Sequence, residues 1–123
     1  MDSGVGMSNT LYLDDCLHVM SSLLEQQIHV NAIITSPPYN INLRVHSGKY
    51  MSRWGWKGNI DSFSHKYLNY KDDLSMDEYF DFQKNFIEKA LKLSDLVFYN
   101  IQMITGNKIA LFKLLGYFAD KIK

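Results

Sequence analysis

The chain has 123 residues, of which 46% are hydrophobic and 14% aromatic, as expected for a folded domain and not for a disordered segment. Thirteen basic residues balance thirteen acidic ones, so the net charge alone favours no polyanionic partner. No apolar run is long enough to cross a bilayer, no secretion signal is recognisable, and the single cysteine excludes an internal disulfide bond. We therefore predict at most one domain, in a reducing, cytoplasmic compartment and away from membranes.

The N-terminal third predicts one strand and one helix. Residues 1–8 are small and polar, and we expect them to be disordered. Asn9–Leu13 has the composition of a short strand, and Asp14 or Asp15 after it is a candidate N-cap. The helix that follows extends to about Gln27, because apolar residues recur at helical spacing at Leu17, Met20, Leu23 and Leu24.

A proline-rich loop follows the second predicted strand, Asn31–Thr35. A strand, a helix and a strand in this order predict a parallel pair. In the loop, Pro37 and Pro38 each fix their own φ at about −65° and hold the preceding residue extended. The loop is therefore rigid, with the Ser36 hydroxyl and the Tyr39 ring at the carboxyl end of a strand. Such a loop suits a planar ring bearing an amino group, although proline pairs are also common in plain turns.

The segment 41–74 is predicted to be one long irregular loop. Residues 41–71 carry six basic residues against one acidic residue, with aromatic residues between them. Interleaved basic and aromatic residues are typical of surfaces that bind phosphates and unpaired bases. The alternative is a solvated loop whose aromatic residues cover the core. The candidate DNA-binding residues are Arg44, Lys49, Arg53 and Lys57.

The C-terminal half predicts two further helices and two further strands. Ser75–Glu78 has the pattern of a capping box, and the helix it starts carries one apolar face at Tyr79, Phe82, Phe86, Ala90 and Leu93. A third strand is predicted at Asp95–Ile101. After it, we expect a helix capped by Thr105 and ended by Gly116. A further strand is predicted to begin within Tyr117–Lys123.

Several segments together resemble one enzyme family. Thr35–Asn40 is similar to the (Asp/Asn/Ser)-Pro-Pro-Tyr catalytic motif of the amino-directed DNA methyltransferases. Leu11–Leu17 resembles the family's L-Y-x-G-D-C-L segment, with Asp14 in place of the glycine. Leu96–Ile101 and Gly116–Phe118 resemble a later core strand and the turn after it. The order matches the permuted group of the family, in which the catalytic part precedes the cofactor part.

The resemblance implies an α/β fold, namely part of a Rossmann-like S-adenosylmethionine-dependent methyltransferase sheet with flanking helices. Residues 9–123 would be a partial catalytic domain of this kind. The implied reaction moves a methyl group from S-adenosylmethionine to an exocyclic amino group of a flipped base in double-stranded DNA. The serine in the first motif position slightly favours cytosine N4 over adenine N6.

The resemblance also implies the roles of the site residues. Ser36 and the Pro37 carbonyl would accept hydrogen bonds from the target amino group, while Pro38 keeps the loop stiff. Tyr39 would stack on the flipped base. Asp15 would lie near the bound S-adenosylmethionine, although its capping of the first helix is an equally good interpretation.

The glycine-rich cofactor loop and the target-recognition region of the family are not found in this sequence. We therefore expect an incomplete methyltransferase, whose cofactor half and recognition region are supplied by a second chain or by residues outside this sequence. The alternatives are a catalytically inactive DNA-binding remnant and a methyltransferase for another amino or amide substrate. The order of the motifs speaks against the last of these. The four histidines and the cysteine lack the spacing of metal ligands, so no metal is predicted.

Overall fold

The computed structural model describes residues 8–40 and 73–123 in full, and residues 45–46 and 49–50 by their backbone. In chain order, the elements of these residues are α1 (Cys16–Glu25), β1 (Ile33–Thr35), β2 (Val45–His46), β3 (Lys49–Tyr50), α2 (Met76–Leu93), β4 (Val97–Tyr99) and α3 (Lys108–Tyr117). They form a mixed α/β structure, as predicted. None of these helices is both long and apolar enough to cross a membrane.

The described strands pair in two separate sheets. β1 lies parallel to β4, with Ile33 opposite Val97. The sequence predicts a different partner for β1, the strand at Asn9–Leu13, and that prediction is wrong. These residues form no strand, and Leu11 is 94% exposed. A strand requires a neighbour for its backbone hydrogen bonds, and no described strand lies beside this segment.

Side-chain caps start α1 and α2 where the sequence predicts them. The Asp15 carboxylate accepts a hydrogen bond of 2.8 Å from the Leu17 N–H. At α2, the Ser75 hydroxyl accepts from the Glu78 N–H over 3.2 Å, and the Glu78 carboxylate accepts from the Ser75 N–H over 2.9 Å. These two bonds complete the predicted capping box. At the other end of α1, Gln27 takes a left-handed φ of 58°, so the helix ends before this residue.

The core is built around α2. One buried cluster joins α2 to α1 and to the parallel sheet through Met20, Phe86, Ala90 and Leu93. A second cluster joins α2 to α3 and the turn after it through Leu111, Leu114 and Phe118. Ile87 of α2 packs against both clusters, so α2 connects the two halves of the described structure. The apolar face predicted for α2 is therefore confirmed as core at Tyr79, Phe86, Ala90 and Leu93, whereas Phe82 is only half-buried. Gln83 is buried on the same helix.

The C-terminal residues differ from their prediction. α3 begins slightly later than expected, with Asn107 rather than Thr105 at the N-cap position, and Gly116 lies inside the helix. The strand predicted within Tyr117–Lys123 is wrong, because the chain turns after α3. Phe118 explains the difference. Its ring is buried in the cluster between α2 and α3, which holds the chain against the helix instead of letting it extend.

The predicted loop 41–74 contains a pair of short strands. β2 pairs with β3 in antiparallel orientation, so the expectation of a wholly irregular segment is wrong at these residues. Residues 73–74 have no regular structure, as predicted. The expectations for residues 1–7 and for positions 41–44, 47–48 and 51–72 lie outside the described residues.

One face of the parallel sheet is uncovered in the described part of the chain. Ile34 of β1 is 80% exposed and Phe98 of β4 is 52% exposed; we call these two residues the open sheet face. Next to β4, an apolar groove of about 660 Å³ runs between α2 and the end of α3, and its walls include Leu96, Leu115 and Ile122. Parallel sheets are ordinarily covered on both faces, so this is an unusual amount of apolar surface next to a parallel strand.

Replacing Ser75 with alanine tests the capping box. The substitution leaves the Glu78 N–H without its side-chain acceptor, so we expect the free energy of unfolding to fall by about 1 kcal/mol. Denaturant titration followed by circular dichroism measures the change. The control is Ser22→Ala, because Ser22 is exposed in the interior of α1, where alanine is the better helix former. Equal losses in the two variants would contradict the assigned role of the cap.

Candidate functional site

The Ser36–Tyr39 loop lies at the carboxyl end of the parallel sheet. It leaves β1 next to the end of β4, where the Asn100 N–H donates to the Thr35 carbonyl over 2.9 Å. Ser36 is exposed and Tyr39 is half-buried, whereas Pro37 is buried. The hydroxyl oxygens of Ser36 and Tyr39 lie 3.3 Å apart, and either can be the donor of the bond between them. Ligands of open α/β sheets bind at this end of the strands, so the loop has the expected location for a site.

A buried tyrosine of α2 holds the middle of the loop. The Tyr79 hydroxyl donates to the Pro38 carbonyl over 2.6 Å, and Tyr79 is fully buried. A buried carbonyl without a donor would cost about 1–3 kcal/mol, so this bond stabilises the conformation in which the Pro38 carbonyl points inward. The sequence predicts the ring of Tyr79 as part of the core but gives no sign of the contact made by its hydroxyl.

A buried asparagine at the start of α3 holds the next carbonyl of the loop. The Asn107 amide donates to the Tyr39 carbonyl over 2.9 Å and to the Gln102 carbonyl over 3.1 Å. Its own oxygen accepts from the Ile104 N–H over 2.8 Å. With three such bonds and no exposure, Asn107 connects the loop after β4 to the loop after β1. Sequence reasoning missed this residue, because no local pattern marks a contact over 68 positions.

Asn40 closes the loop in a left-handed conformation, with φ of 59°. Asparagine tolerates this region better than most residues, which agrees with the expectation that Asn40 holds a turn. Its buried amide donates to the carbonyls of Leu74 and Gly106, each over 2.9 Å, and accepts from the Leu74 N–H over 2.8 Å. The loop is therefore fixed to the chain just before α2 and to the chain just before α3.

The anchored carbonyls leave a small set of groups for a ligand. Thr35, Pro38 and Tyr39 use their carbonyls internally. Among residues 8–40 and 73–123 no hydrogen bond to the Pro37 carbonyl is observed; this carbonyl can only accept, and it belongs to a buried residue. The exposed Ser36 hydroxyl and the Tyr39 hydroxyl can both accept and donate. This arrangement brings together the residues that the sequence predicts as catalytic, and it places an aromatic ring next to hydrogen-bond acceptors.

Gln83 introduces an unusual polar group one turn beyond Tyr79 on α2. It is fully buried, and its side-chain oxygen accepts a hydrogen bond from the Tyr99 hydroxyl at the end of β4. Among the described residues, its amide nitrogen has no hydrogen-bond partner. A buried donor of this kind is destabilising by about 1–3 kcal/mol, and sequence reasoning did not predict a buried polar residue on this face.

Asp15 lies away from this loop in chain order, at the start of α1, where one carboxylate oxygen caps the helix. A neighbouring cavity of about 320 Å³ is lined by residues 11–14 and by α1, but Asp15 is not among its lining residues. The described residues near Asp15 thus do not enclose a methyl donor by themselves. The capping role is observed, and the cofactor role of Asp15 stays a prediction.

The candidate DNA-binding residues lie almost wholly outside the described residues. Arg44, Arg53 and Lys57 belong to the undescribed positions, and Lys49 is described only by its backbone in β3. Their proposed phosphate contacts therefore stay predictions. In the part of the chain that is described, no three His, Cys, Asp or Glu side chains are grouped to hold a metal ion.

Comparison of the chain with models of protein families, with curated proteins and with solved structures finds no match. The functional interpretation therefore depends on the residues of the loop and on their geometry.

A Gly106→Ala variant tests how closely the loops approach each other. A Cβ at this position would lie 2.2 Å from the Asn40 carbonyl oxygen, which is part of the backbone and has no rotamer to adopt. We expect the free energy of unfolding to fall by about 1–3 kcal/mol. Thermal and denaturant unfolding measure the loss.

Gly116→Ala is the matched control for that experiment. A Cβ on Gly116 would meet nothing within 4 Å, and the residue lies inside α3. Alanine should therefore raise stability at this position, by up to about 1 kcal/mol. A Gly106→Ala variant as stable as Gly116→Ala would contradict the observed packing of Gly106 on Asn40.

The environment of Cys16 provides a test of the charge on Asp15. Cys16 is an exposed residue, but partial desolvation of its thiol by the surrounding protein and, after it, the neighbouring Asp15 carboxylate raise the pKa of Cys16 above its ordinary value. Because asparagine is as good an N-cap as aspartate, Asp15→Asn removes the charge and keeps the cap. The pKa should then fall and more thiolate should form, so alkylation by iodoacetamide at pH 8 should be faster than in the wild type. Asp14→Asn is the control, and an equal acceleration in both variants would contradict the specific effect of Asp15.

Proposed function

We propose that this chain is the catalytic part of an S-adenosylmethionine-dependent DNA amino-methyltransferase, with the Ser36–Tyr39 loop receiving the amino group of a flipped base. One observation carries the proposal. An exposed hydroxyl and a half-buried phenol lie 3.3 Å apart on a loop whose backbone is fixed at the carboxyl end of a parallel strand. The two prolines and the inward-pointing carbonyls stiffen the loop before any ligand arrives.

The chemistry of an exocyclic amino group explains why such a loop is useful. The nitrogen lone pair is delocalised into the ring, so the nitrogen is a poor nucleophile. Oxygen acceptors at the N–H groups stabilise the positive charge that develops on nitrogen during attack on a methyl carbon. The Pro37 carbonyl and the Ser36 hydroxyl are the acceptors that we assign to this role. The nitrogen releases a proton after the transfer, so no strong general base is needed at Ser36.

Tyr39 supplies the aromatic surface for the base. Stacking on an aromatic side chain contributes about 1–3 kcal/mol per base, which offsets part of the few kcal/mol needed to extrude a nucleotide from a duplex. We assign cytosine N4 as the slightly favoured target over adenine N6, from the serine in the first position of the motif. Arg44, Lys49, Arg53 and Lys57 are the proposed phosphate contacts, because they directly follow the loop in the sequence.

The methyl donor would bind at a site distinct from that of the target amino group. S-adenosylmethionine would supply an electrophilic methyl group, and Asp15 is the residue proposed to lie near it. We propose that the missing half is supplied by a second chain or by residues outside this sequence. The open sheet face and the apolar groove next to β4 support this, since a parallel strand with both faces covered is the usual arrangement.

Matched nucleosides test the amino-group site directly. Cytidine and uridine differ at the exocyclic position and in one ring proton, and so do adenosine and inosine. In ¹⁵N-labelled protein, we expect titration with cytidine or adenosine to shift the backbone N–H signals of Ser36 and Tyr39. The dissociation constant of the amino-bearing nucleoside should be about fivefold lower than that of its oxo partner, the equivalent of one net hydrogen bond. Equal binding of both members of each pair would argue against the proposed site.

Variants of the loop separate its two proposed contributions. Tyr39→Ala should weaken binding of all four nucleosides through the loss of stacking, by about 1–3 kcal/mol. Ser36→Ala should weaken all four by less, about 1 kcal/mol, because its hydroxyl can accept from an amino group or donate to an oxo group. Ser22→Ala on α1 is its control. The catalytic part of the proposal is checked by transfer of tritiated methyl groups to duplex DNA. Salt-dependent DNA binding without transfer, even after the missing half is added, would favour an inactive DNA-binding protein.

A further inference from the structure

We propose that Tyr79 and Asn107 are positioning residues. Tyr79 fixes the direction of the Pro37 carbonyl and so determines the preference of the loop for an amino group, and Asn107 fixes the direction of the Tyr39 ring on which the base stacks. This inference rests on the proposed function, because it names the residues that orient the same site. Neither residue needs to touch the base. Both act through the two loop carbonyls to which they donate, those of Pro38 and Tyr39.

The peptide groups on either side of Tyr39 are both held by buried side chains. The Pro38 carbonyl belongs to the peptide plane before Tyr39, and the Tyr39 carbonyl belongs to the plane after it. Tyr79 holds the first plane over 2.6 Å and Asn107 holds the second over 2.9 Å. With both planes held, φ and ψ of Tyr39 are fixed, and with them the direction of its Cα–Cβ bond. Rotation of its side chain is then the main freedom that remains at this residue.

The same anchor determines where the Pro37 carbonyl points. Pro38 connects the plane that Tyr79 holds to the plane that carries the Pro37 carbonyl, and its ring fixes φ between them. On the other side of the loop, the Thr35 carbonyl is held by the Asn100 N–H. The short segment between these two anchors contains both prolines, so few backbone torsions are free. The orientation of the Pro37 carbonyl follows from the position of the Tyr79 hydroxyl.

The Pro37 carbonyl is the group that can discriminate between bases. The hydroxyls of Ser36 and Tyr39 can rotate to donate to an oxo group or to accept from an amino group. A carbonyl can only accept, so it attracts an amino group and repels the oxo group that replaces it in uracil or hypoxanthine. A loop that loses its anchor should therefore lose discrimination before it loses stacking on Tyr39.

Because Tyr79 and Asn107 are buried, loss of either hydrogen bond should have a large effect on the loop. Tyr79 and Asn107 are both fully buried, so water does not replace the lost donor when either is changed. They come from different elements, since Tyr79 lies in the first turns of α2 and Asn107 directly precedes α3. The Asn40 side chain, which donates to the carbonyls of Leu74 and Gly106, holds the end of the loop. Neither Tyr79→Phe nor Asn107→Ala removes these two bonds.

Tyr79→Phe is the primary test. Phenylalanine keeps the ring in the core and removes only the hydroxyl that donates to Pro38. The readout is the ratio of the uridine and cytidine dissociation constants, measured by ¹⁵N NMR titration of the full chain. We expect the wild-type preference of about fivefold to fall below about twofold, through weaker binding of cytidine and no loss of affinity for uridine. Tyr117→Phe is the control, because it removes a tyrosine hydroxyl that donates to Glu88 at an exposed position.

Asn107→Ala is the second variant. It frees the Tyr39 carbonyl and with it the direction of the Tyr39 ring, so it should weaken cytidine and uridine alike and leave their ratio unchanged. Loss of the ratio in Tyr79→Phe, with Tyr117→Phe like the wild type, supports the inference. If the wild type discriminates and Tyr79→Phe discriminates equally well, the inference is wrong while the proposed function stands. An equal weakening of cytidine and uridine in Tyr79→Phe also overturns it, because that is the effect of a merely structural residue. A wild type without any preference removes the proposed function and this inference together.

Discussion

The hydrogen bond from the buried Tyr79 hydroxyl to the Pro38 carbonyl connects parts of the chain that are 41 residues apart. The loop after β1 is stiff on its first side because of covalent geometry, since two prolines fix their own torsions. After the prolines the backbone torsions are not fixed covalently, and there the loop is held by hydrogen bonds from Tyr79 and Asn107. The conformation of the site thus depends as much on α2 and on the loop before α3 as on the motif itself. Rigidity before binding lowers the entropic cost of receiving a ligand, which is the usual benefit of a preorganised site.

The two halves of α2 bury different kinds of side chain. Its C-terminal half is apolar on the buried side, where Phe86, Ala90 and Leu93 pack against α1 and the parallel sheet. Its N-terminal half buries polar groups instead, with Tyr79 holding the loop and Gln83 accepting from Tyr99. In the described part of the chain the nitrogen of Gln83 has no partner, which costs stability in a region that an all-apolar face would have stabilised. Such a departure from good packing is expected where a polar arrangement is retained for a purpose other than stability, and it lies beside the candidate site.

Local rules predicted the elements whose cause is local. The caps at Asp15 and Ser75 are confirmed because a cap is a contact between residues two or three positions apart. The strand before the loop is confirmed at its core, Ile33–Thr35, since an apolar run ended by prolines leaves few alternatives. The strands predicted at Asn9–Leu13 and within Tyr117–Lys123 are wrong because a strand depends on a neighbour that the sequence does not name. The anchors at Tyr79 and Asn107 could not be predicted, because their partners lie 41 and 68 positions away.

The open sheet face and the two wrongly predicted strands have the same cause, namely that a strand depends on neighbours and packing for its stability. β1 and β4 satisfy only the backbone groups that face each other, and each strand has three residues. A parallel pair of this length is not stable by itself, so most of its stability must come from packing. In the described residues that packing covers one face, through Ile33 and Val97, and leaves Ile34 and Phe98 on the other. Leu11 and Leu13 are further apolar residues that are almost fully exposed. A partner that covered Ile34 and Phe98 would therefore stabilise the strands from which the Ser36–Tyr39 loop departs, and would couple its own binding to the geometry of the site.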